Sequence, residues 1–315
     1  RRCVYRRRQP RRAERRWPSW RRSSGSSTHD QVSPRPRLFC LVRDVVYMRG
    51  AAQSPQRTMA CDVLNQFFDA VIVRGDGQIE ISESYPAISH VRRPVRYAGY
   101  FAGALPPRSS HDFSEREVVV AAGSGFSPST REWYTSALNA WKHSSLRHHR
   151  WRFLVPAPFS TQDFEALRNL AHRVAGDSIV VQRNDGAFTS RLVNAAAAIL
   201  QAGYNTTLEA VASGVPTVLL PMSTAYEQTY RLARLSQLGI IGHGTKVVPC
   251  ASSEAAELVR CLDAATQGHT ASSALDLDGA RRAASWIADY VRPVISAQCS
   301  KPFPSENIRD SFAAK

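Results

Sequence analysis

With 315 residues and 43% hydrophobic content, the chain has enough apolar material for two globular domains. Its net charge of +15 would suit a nucleic-acid binder if it were spread over the folded body, but residues 1–37 hold thirteen arginines against Glu14 and Asp30, which leaves about +4 for the remainder. Composition thus argues against a basic nucleic-acid-binding body. No apolar run approaches the roughly 18 residues of a membrane span, so a cytoplasmic protein, or one peripheral to a membrane, is expected.

The first 37 residues show no hydrophobic periodicity and read as a disordered, Arg-rich tail. Three readings fit it: an RNA- or phospholipid-binding arm, an Arg-rich targeting peptide, or non-native coding joined to an enzyme. The abrupt change of composition near Arg37 favours the third. The six cysteines, at positions 3, 40, 61, 250, 261 and 299, form no C-x-x-C pair, which leaves a zinc site or redox dithiol without support.

Beyond the tail, residues 57–68 have helical spacing, and 69–74 (DAVIVR) form a short buried strand ending in a Gly-Asp-Gly turn. A β-like segment follows at 95–97, then the linker GALPPRSS at 103–110, the best candidate domain boundary. From there strands alternate with helices. Strands are expected at 117–122, 151–155, 178–182, 196–200 and 217–220, and helices at 129–141, 161–174, 188–194, 206–212, 226–238, 253–265 and 279–291. This alternation marks a doubly wound α/β domain with a parallel sheet. No internal repeat is visible, and residues 292–315 read as a weakly ordered tail.

In such a sheet, ligands bind beyond the carboxyl ends of the strands. Two loops stand there. The first holds Gly123, Ser124 and Gly125, where glycines would let backbone N–H groups approach an anion. A plain turn would need the same residues, and Pro128 prevents a full G-x-G-x-x-G. The second runs from Gly203 through Asn205, Thr206, Thr207 and Glu209 to Gly214 and Pro216. Thr206-x-x-Glu209 fits a capping box. The same residues also fit a diphosphate on the free N–H groups of a helix start, with a carboxylate one turn in for ribose hydroxyls, and spacing leaves both open.

The run AGYNTTLEAVASGVPTVLLP, followed by YEQTYRLARLSQLGI, resembles the carboxy-terminal domain of glycosyltransferase family 28, especially a group of uncharacterised bacterial relatives of the peptidoglycan N-acetylglucosaminyltransferase. Residues 41–44 (LVRD) and 97–100 (YAGY) resemble the end of that family's amino-terminal domain. The resemblance covers roughly residues 40–292 and is most specific between 202 and 228. It implies a GT-B fold, α/β throughout: a complete carboxy-terminal Rossmann-like sheet at 117–292 that binds the donor, a linker at 104–116, and a remnant of the acceptor-side domain at 38–103. It further implies that Gly203, Asn205, Thr206 and Thr207 present donors to a nucleotide diphosphate and that Glu209 binds the ribose. Phe188 would pack by the base, Glu227 and Gln228 would meet sugar hydroxyls, and the loop 123–125 would face the cleft. The expected partner is a nucleotide-diphosphate sugar, with a UDP-sugar first in line, beside an unknown acceptor.

The implied reaction transfers a hexosyl group with inversion and without a metal or other cofactor, because a helix start can stabilise the departing diphosphate. The pair Asp276 and Asp278 could hold a metal ion, but it precedes a helix and is read as a cap. His90 and His111 match no motif position, and residues 1–40 contain nothing like the glycine-rich loop and nearby catalytic residue of the family's chain start. No catalytic base is assigned, and the fragment is expected to bind donor better than it turns over and to expose apolar surface. Two alternatives remain: a nucleotide-sugar 2-epimerase of the same fold, and a non-enzymatic RNA binder that uses the arginine tail.

Overall fold

A computed structural model of the chain describes residues 37–46, 55–110, 115–123, 128–222, 225–242, 245–247, 255–268 and 275–299. The arginine tail, His111, Ser124 and Gly125 lie outside the described residues.

Two parallel sheets organise the chain. In the first, β1 (Phe39–Arg43), β2 (Ala70–Arg74) and β3 (Val95–Tyr97) run side by side in that order. Helix α1 (Pro55–Phe67) connects β1 to β2, and the short α2 (Ile81–Ser84) with a 3-10 turn at Pro86–His90 connects β2 to β3. Alternation along β2 sends Val73 to a small core with Cys61, Ile81 and Tyr85, and Ile72 to the opposite face.

The second sheet has six parallel strands in the order β6-β5-β4-β7-β8-β9. They are β4 (Val118–Ala121), β5 (Trp151–Val155), β6 (Ile179–Arg183), β7 (Ala197–Gln201), β8 (Thr217–Leu220) and β9 (Thr245–Val247). The chain starts in the middle, winds outward through β5 and β6, then returns to lay β7 on the other side of β4. The order reverses between β4 and β7, which makes their carboxyl ends the topological switch point of a doubly wound sheet.

Helices cover both faces. Val118 and Val120 point to a core built with α3 (Pro128–Trp141), α4 (Thr161–Ala175) and α8 (Ala255–Gln267). Val119 and Ala121 point to a second core with α5 (Phe188–Val193), α6 (Tyr204–Ser213) and α7 (Tyr226–Gln237). The central strands β4, β7 and β8 read as largely apolar runs because they are buried on both faces. Local signals set several boundaries: Ser160 caps α4 by accepting from the Asp163 N–H at 3.0 Å, and α6 stops at Gly214.

Three expectations are corrected. The last helix, α9, runs from Gly279 to Cys299, through Pro293, instead of giving way to a tail at 292. Its Ala283, Trp286 and Ile287 pack against Ile72, Ala98 and Phe39, so docking on the first sheet anchors the helix ahead of the proline. Helix α9 thus lies on the first sheet although its sequence was read with the 117–292 segment. Second, β1 and β9 were not foreseen as strands; β1 is half-exposed and β9 has only three residues. Third, the Asp276–Asp278 stretch does more than cap. The Tyr100 N–H donates to the Asp276 carbonyl at 2.7 Å, the Gly279 N–H donates to the Tyr100 carbonyl at 3.1 Å, and Arg282 pairs with Asp276 and donates to the Ala98 carbonyl at 2.6 Å. These bonds zip the start of α9 onto the end of β3. A side chain on Gly279 would collide with the Gly99 carbonyl, so only glycine permits the approach.

Candidate functional site

Gly123, which opens the first loop singled out in the sequence, and the second loop lie at the switch point. Gly123 follows β4 with a left-handed φ of +72°, a conformation that glycine adopts without strain, and it sits beside the Gln201 side chain at the end of β7. Gly203 is the N-cap of α6, with no side-chain capping bond. The first N–H groups of a helix lack intrahelical partners, so the amino end of α6 faces the crevice with donors to spare.

The capping-box reading does not hold. Helix α6 begins at Tyr204, which places Thr206 inside the first turn and Glu209 in the second. Glu209 instead accepts a hydrogen bond from the Thr189 hydroxyl of α5 at 3.4 Å. Burial pushes its carboxyl up from the usual range, with the Thr189 bond acting the other way. A carboxylate kept partly desolvated and free of any cap is one whose lone pairs remain available. Asn205 and Glu209 are four residues apart and share one face of the helix.

The other predicted residues are placed as follows. Asn205 is exposed and accepts from Arg74 at 3.4 Å. Thr206 is half-buried in the first turn. Thr207 is buried, and its hydroxyl has no hydrogen-bond partner among the described residues. Phe188 opens α5 and packs against the core beneath α6. Glu227, in the first turn of α7, pairs with Arg43 at 3.3 Å. Gln228 turns inward, and its carboxamide oxygen accepts from the Met222 N–H at 2.9 Å, which leaves its amide nitrogen as the donor for a ligand.

Facing this side of the six-stranded sheet are the carboxyl ends of β1 and β2. Four residues on one face of α7, namely Glu227, Tyr230, Arg231 and Arg234, contact residues of the first sheet and its connections. Arg231 makes a multidentate pair with Asp44, at 3.0 to 3.4 Å, and the two are 1% and 0% exposed. Asp44 also accepts from its neighbouring Val45 N–H at 2.8 Å and from the Tyr100 hydroxyl at 3.3 Å. Burial, followed by the Asp44 charge, drives the Tyr100 hydroxyl far above its usual range. Arg234 pairs with Glu83 at 2.9 Å, and the Tyr230 hydroxyl donates to the same carboxylate at 2.7 Å. Burial pushes the Glu83 carboxyl up, yet the bonds from Tyr230 and Arg234 together outweigh it and hold it below the usual range. Tyr204 joins this layer, with its hydroxyl donating to the Arg74 carbonyl at 2.5 Å.

Motif reading did not assign roles to Arg43, Asp44, Arg74, Tyr100, Tyr204 or Arg231. One signal was present: β1 and β2 each end as an apolar run followed by Arg and, within two residues, Asp (FCLVRD and AVIVRGD). Among the described residues, no three His, Cys, Asp or Glu side chains gather in a way that could hold a metal ion, and no helix is long and apolar enough to cross a membrane. A cavity of about 280 Å³ lies elsewhere, at the amino end of β4, lined by Ser109, Glu117, Ser190, Arg191 and Asn194 among others. None of the predicted residues reaches it.

No protein-family model matches the chain, and no curated protein matches it. Among solved structures it is similar to the glycosyltransferase of kitacinnamycin, at 15% identity over 72% of this chain and 51% of that one, with a TM-score of 0.45. It is also similar to MurG of Acinetobacter baumannii, at 16% identity over 78% and 83% of the two chains, with a TM-score of 0.48. A Listeria monocytogenes protein provisionally described as a UDP-N-acetylglucosamine 2-epimerase is similar at 13% identity over 72% and 60%, with a TM-score of 0.49. The chain spans about half the length of the first of these. At such identities the likeness concerns the α/β fold with parallel sheets and not a substrate.

Proposed function

We propose that the chain binds a nucleoside diphosphate sugar across the switch point between β4 and β7 and transfers its hexosyl group to an acceptor. One observation carries the reading: α6 opens at the switch point with no side-chain cap, while Glu209, on the same face as Asn205, is half-buried and not spent on capping. In this reading the diphosphate sits on the N–H groups after Gly203, with the Thr206 hydroxyl beside it, while the buried Thr207 hydroxyl lies out of its reach. Glu209 accepts the ribose hydroxyls, Phe188 flanks the base, and Glu227 with the amide nitrogen of Gln228 meets hydroxyls of the transferred sugar. Gly123 closes the other wall. The resemblance of residues 202–228 to glycosyltransferase family 28 supports the same assignment, with a UDP-sugar as the expected donor.

The chemistry follows from where charge develops. Breaking the anomeric bond leaves negative charge on the nucleoside diphosphate, and oriented N–H groups with the helix dipole stabilise that charge at no cost in reorganisation. Attack by an acceptor from the side of the first sheet would invert the anomeric centre in a single displacement. The test is turnover: the full chain is incubated with UDP-hexoses, with and without a panel of alcohol acceptors, and nucleoside diphosphate and sugar products are followed by mass spectrometry and NMR. Acceptor-dependent release of UDP with an inverted glycoside supports transfer. Formation of a C2 epimer without acceptor would replace transfer with epimerisation.

A further inference from the structure

Arg43 and Arg74 occupy paired positions at the carboxyl ends of adjacent parallel strands. Both guanidiniums leave the first sheet and lie over the ring of Tyr204, the first residue of α6, at 5.2 and 4.9 Å from its centroid. Arg231 adds a third at 4.7 Å. Three like charges around one ring repel each other, and their compensation is thin. Asp44 matches Arg231. Arg43 reaches Glu227 at 3.3 Å, and Arg74 reaches the neutral Asn205 oxygen at 3.4 Å, both longer than a well-formed N–H···O bond. Among the described residues, Nε of Arg74 and Nη1 of Arg231 are buried without a hydrogen-bond partner, and Arg231 as a whole is almost fully enclosed. Such unspent buried donors are costly unless something accepts from them. They lie at the start of α6, whose N-cap Gly203 makes no side-chain bond and whose first N–H groups have no intrahelical acceptor.

We propose that Arg43 and Arg74, carried by the first sheet, form with the amino end of α6 a shared anion site for a phosphate group, with Arg231 enclosed behind them on Asp44. The chemistry is that of a tetrahedral, multiply charged oxyanion, which guanidiniums bind bidentately. The phosphate can come from the donor's diphosphate, in which case the proposal rests on the nucleoside diphosphate reading, or from a phosphate carried by the acceptor. In either case the anion draws Arg43 away from Glu227 and releases that carboxylate for a sugar hydroxyl, so that filling the phosphate site prepares the sugar site.

The experiment titrates the full chain calorimetrically with inorganic pyrophosphate, with uridine, guanosine and thymidine diphosphates, and with glycerol phosphate in the presence of the bound nucleotide. The same titrations are run on Arg43→Gln, Arg74→Gln, Arg74→Lys, Glu209→Gln and, as a control on a distant surface pair, Arg168→Gln. Circular dichroism confirms that each variant is folded. The expected result is that pyrophosphate affinity falls about tenfold or more in each Arg→Gln variant. It should recover only partly in Arg74→Lys, weaken steeply with added salt, and stay unchanged in Arg168→Gln. A parallel loss for a nucleoside diphosphate assigns the site to the donor, and a loss confined to glycerol phosphate assigns it to the acceptor. Pyrophosphate that binds through the arginines while no nucleoside diphosphate binds tighter would leave the anion site standing and remove the nucleotide reading. Nucleotide binding that depends on Glu209 but not on either arginine would do the reverse. Failure of folded wild-type protein to bind pyrophosphate, or wild-type pyrophosphate affinity retained in both Arg→Gln variants, overturns the proposal.

Discussion

Replacing Asp44 with asparagine tests how the two sheets are held together. The substitution preserves volume and leaves an oxygen for the Val45 N–H, so its main effect is to remove the negative charge beside Arg231. Arg231 is 1% exposed, and among the described residues it has no other acidic partner and its Nη1 lacks a hydrogen bond. Removing one member of a buried pair typically costs 3–5 kcal/mol, because the survivor stays charged and uncompensated. The retained oxygen places the expectation at the lower end, about 3 kcal/mol, a large share of a total stability of roughly 5–15 kcal/mol. By contrast Glu227→Gln, which breaks a 3.3 Å pair between half-exposed side chains, should cost less than about 1 kcal/mol. Urea unfolding followed by tryptophan fluorescence reads both as midpoint shifts. Replacing the pair together by Asp44→Leu and Arg231→Met should recover most of the loss. A cost below about 1 kcal/mol for Asp44→Asn would refute the reasoning and make the pair incidental to the docking of α7 on the first sheet.

Gly279→Ala should destabilise the fold by about 2 kcal/mol or more, since its Cβ meets the Gly99 carbonyl and the α9–β3 zipper must shift; differential scanning calorimetry would show a lowered Tm. Glu209→Gln should separate stability from binding. Burial raises the Glu209 pKa in the folded state, so the native chain holds that proton to higher pH than the unfolded chain does. The stability of wild type relative to Glu209→Gln should therefore fall as pH rises from the ordinary carboxylate range through the raised value. Paired pH-dependent unfolding curves check this, and parallel curves would remove the desolvation argument. Tyr204→Phe removes the hydroxyl bond to the Arg74 carbonyl but keeps the ring under three guanidiniums, so a loss of about 1 kcal/mol is expected, with Tyr204→Ala losing about 3 kcal/mol or more. Equal losses in the two would mean that the ring contributes nothing beyond its hydroxyl.

The second sheet was legible because its signals are local. Trp151 to Val155 and Thr217 to Leu220 are apolar runs of strand length between turn residues, and the structure places both strands where the spacing put them. The two glycine loops were legible as a pair because a doubly wound order brings the ends of β4 and β7 together. Spacing left the capping box open because Thr206-x-x-Glu209 fits it, while helix start is decided by where the chain leaves β7: Gly203 already has extended backbone, and the helix begins three residues after Gln201. The first sheet was harder. β1 is half-exposed along its length, and what completes it lies more than 200 residues away, in Trp286 and Ile287 of α9. The inter-sheet layer was hidden for the same reason: Asp44 and Arg231 meet across 187 positions, a pairing that no spacing rule announces.

The account stands most directly on the amino end of α6 as a nucleotide site. Calorimetric titration of the full chain with uridine, guanosine and thymidine diphosphates, repeated on Glu209→Gln, tests it. The account predicts that one of the three binds and that the substitution weakens it by about 1 kcal/mol or more, through the lost ribose hydrogen bonds. Folded protein that binds none of them, or binds one with no loss in Glu209→Gln, would contradict it.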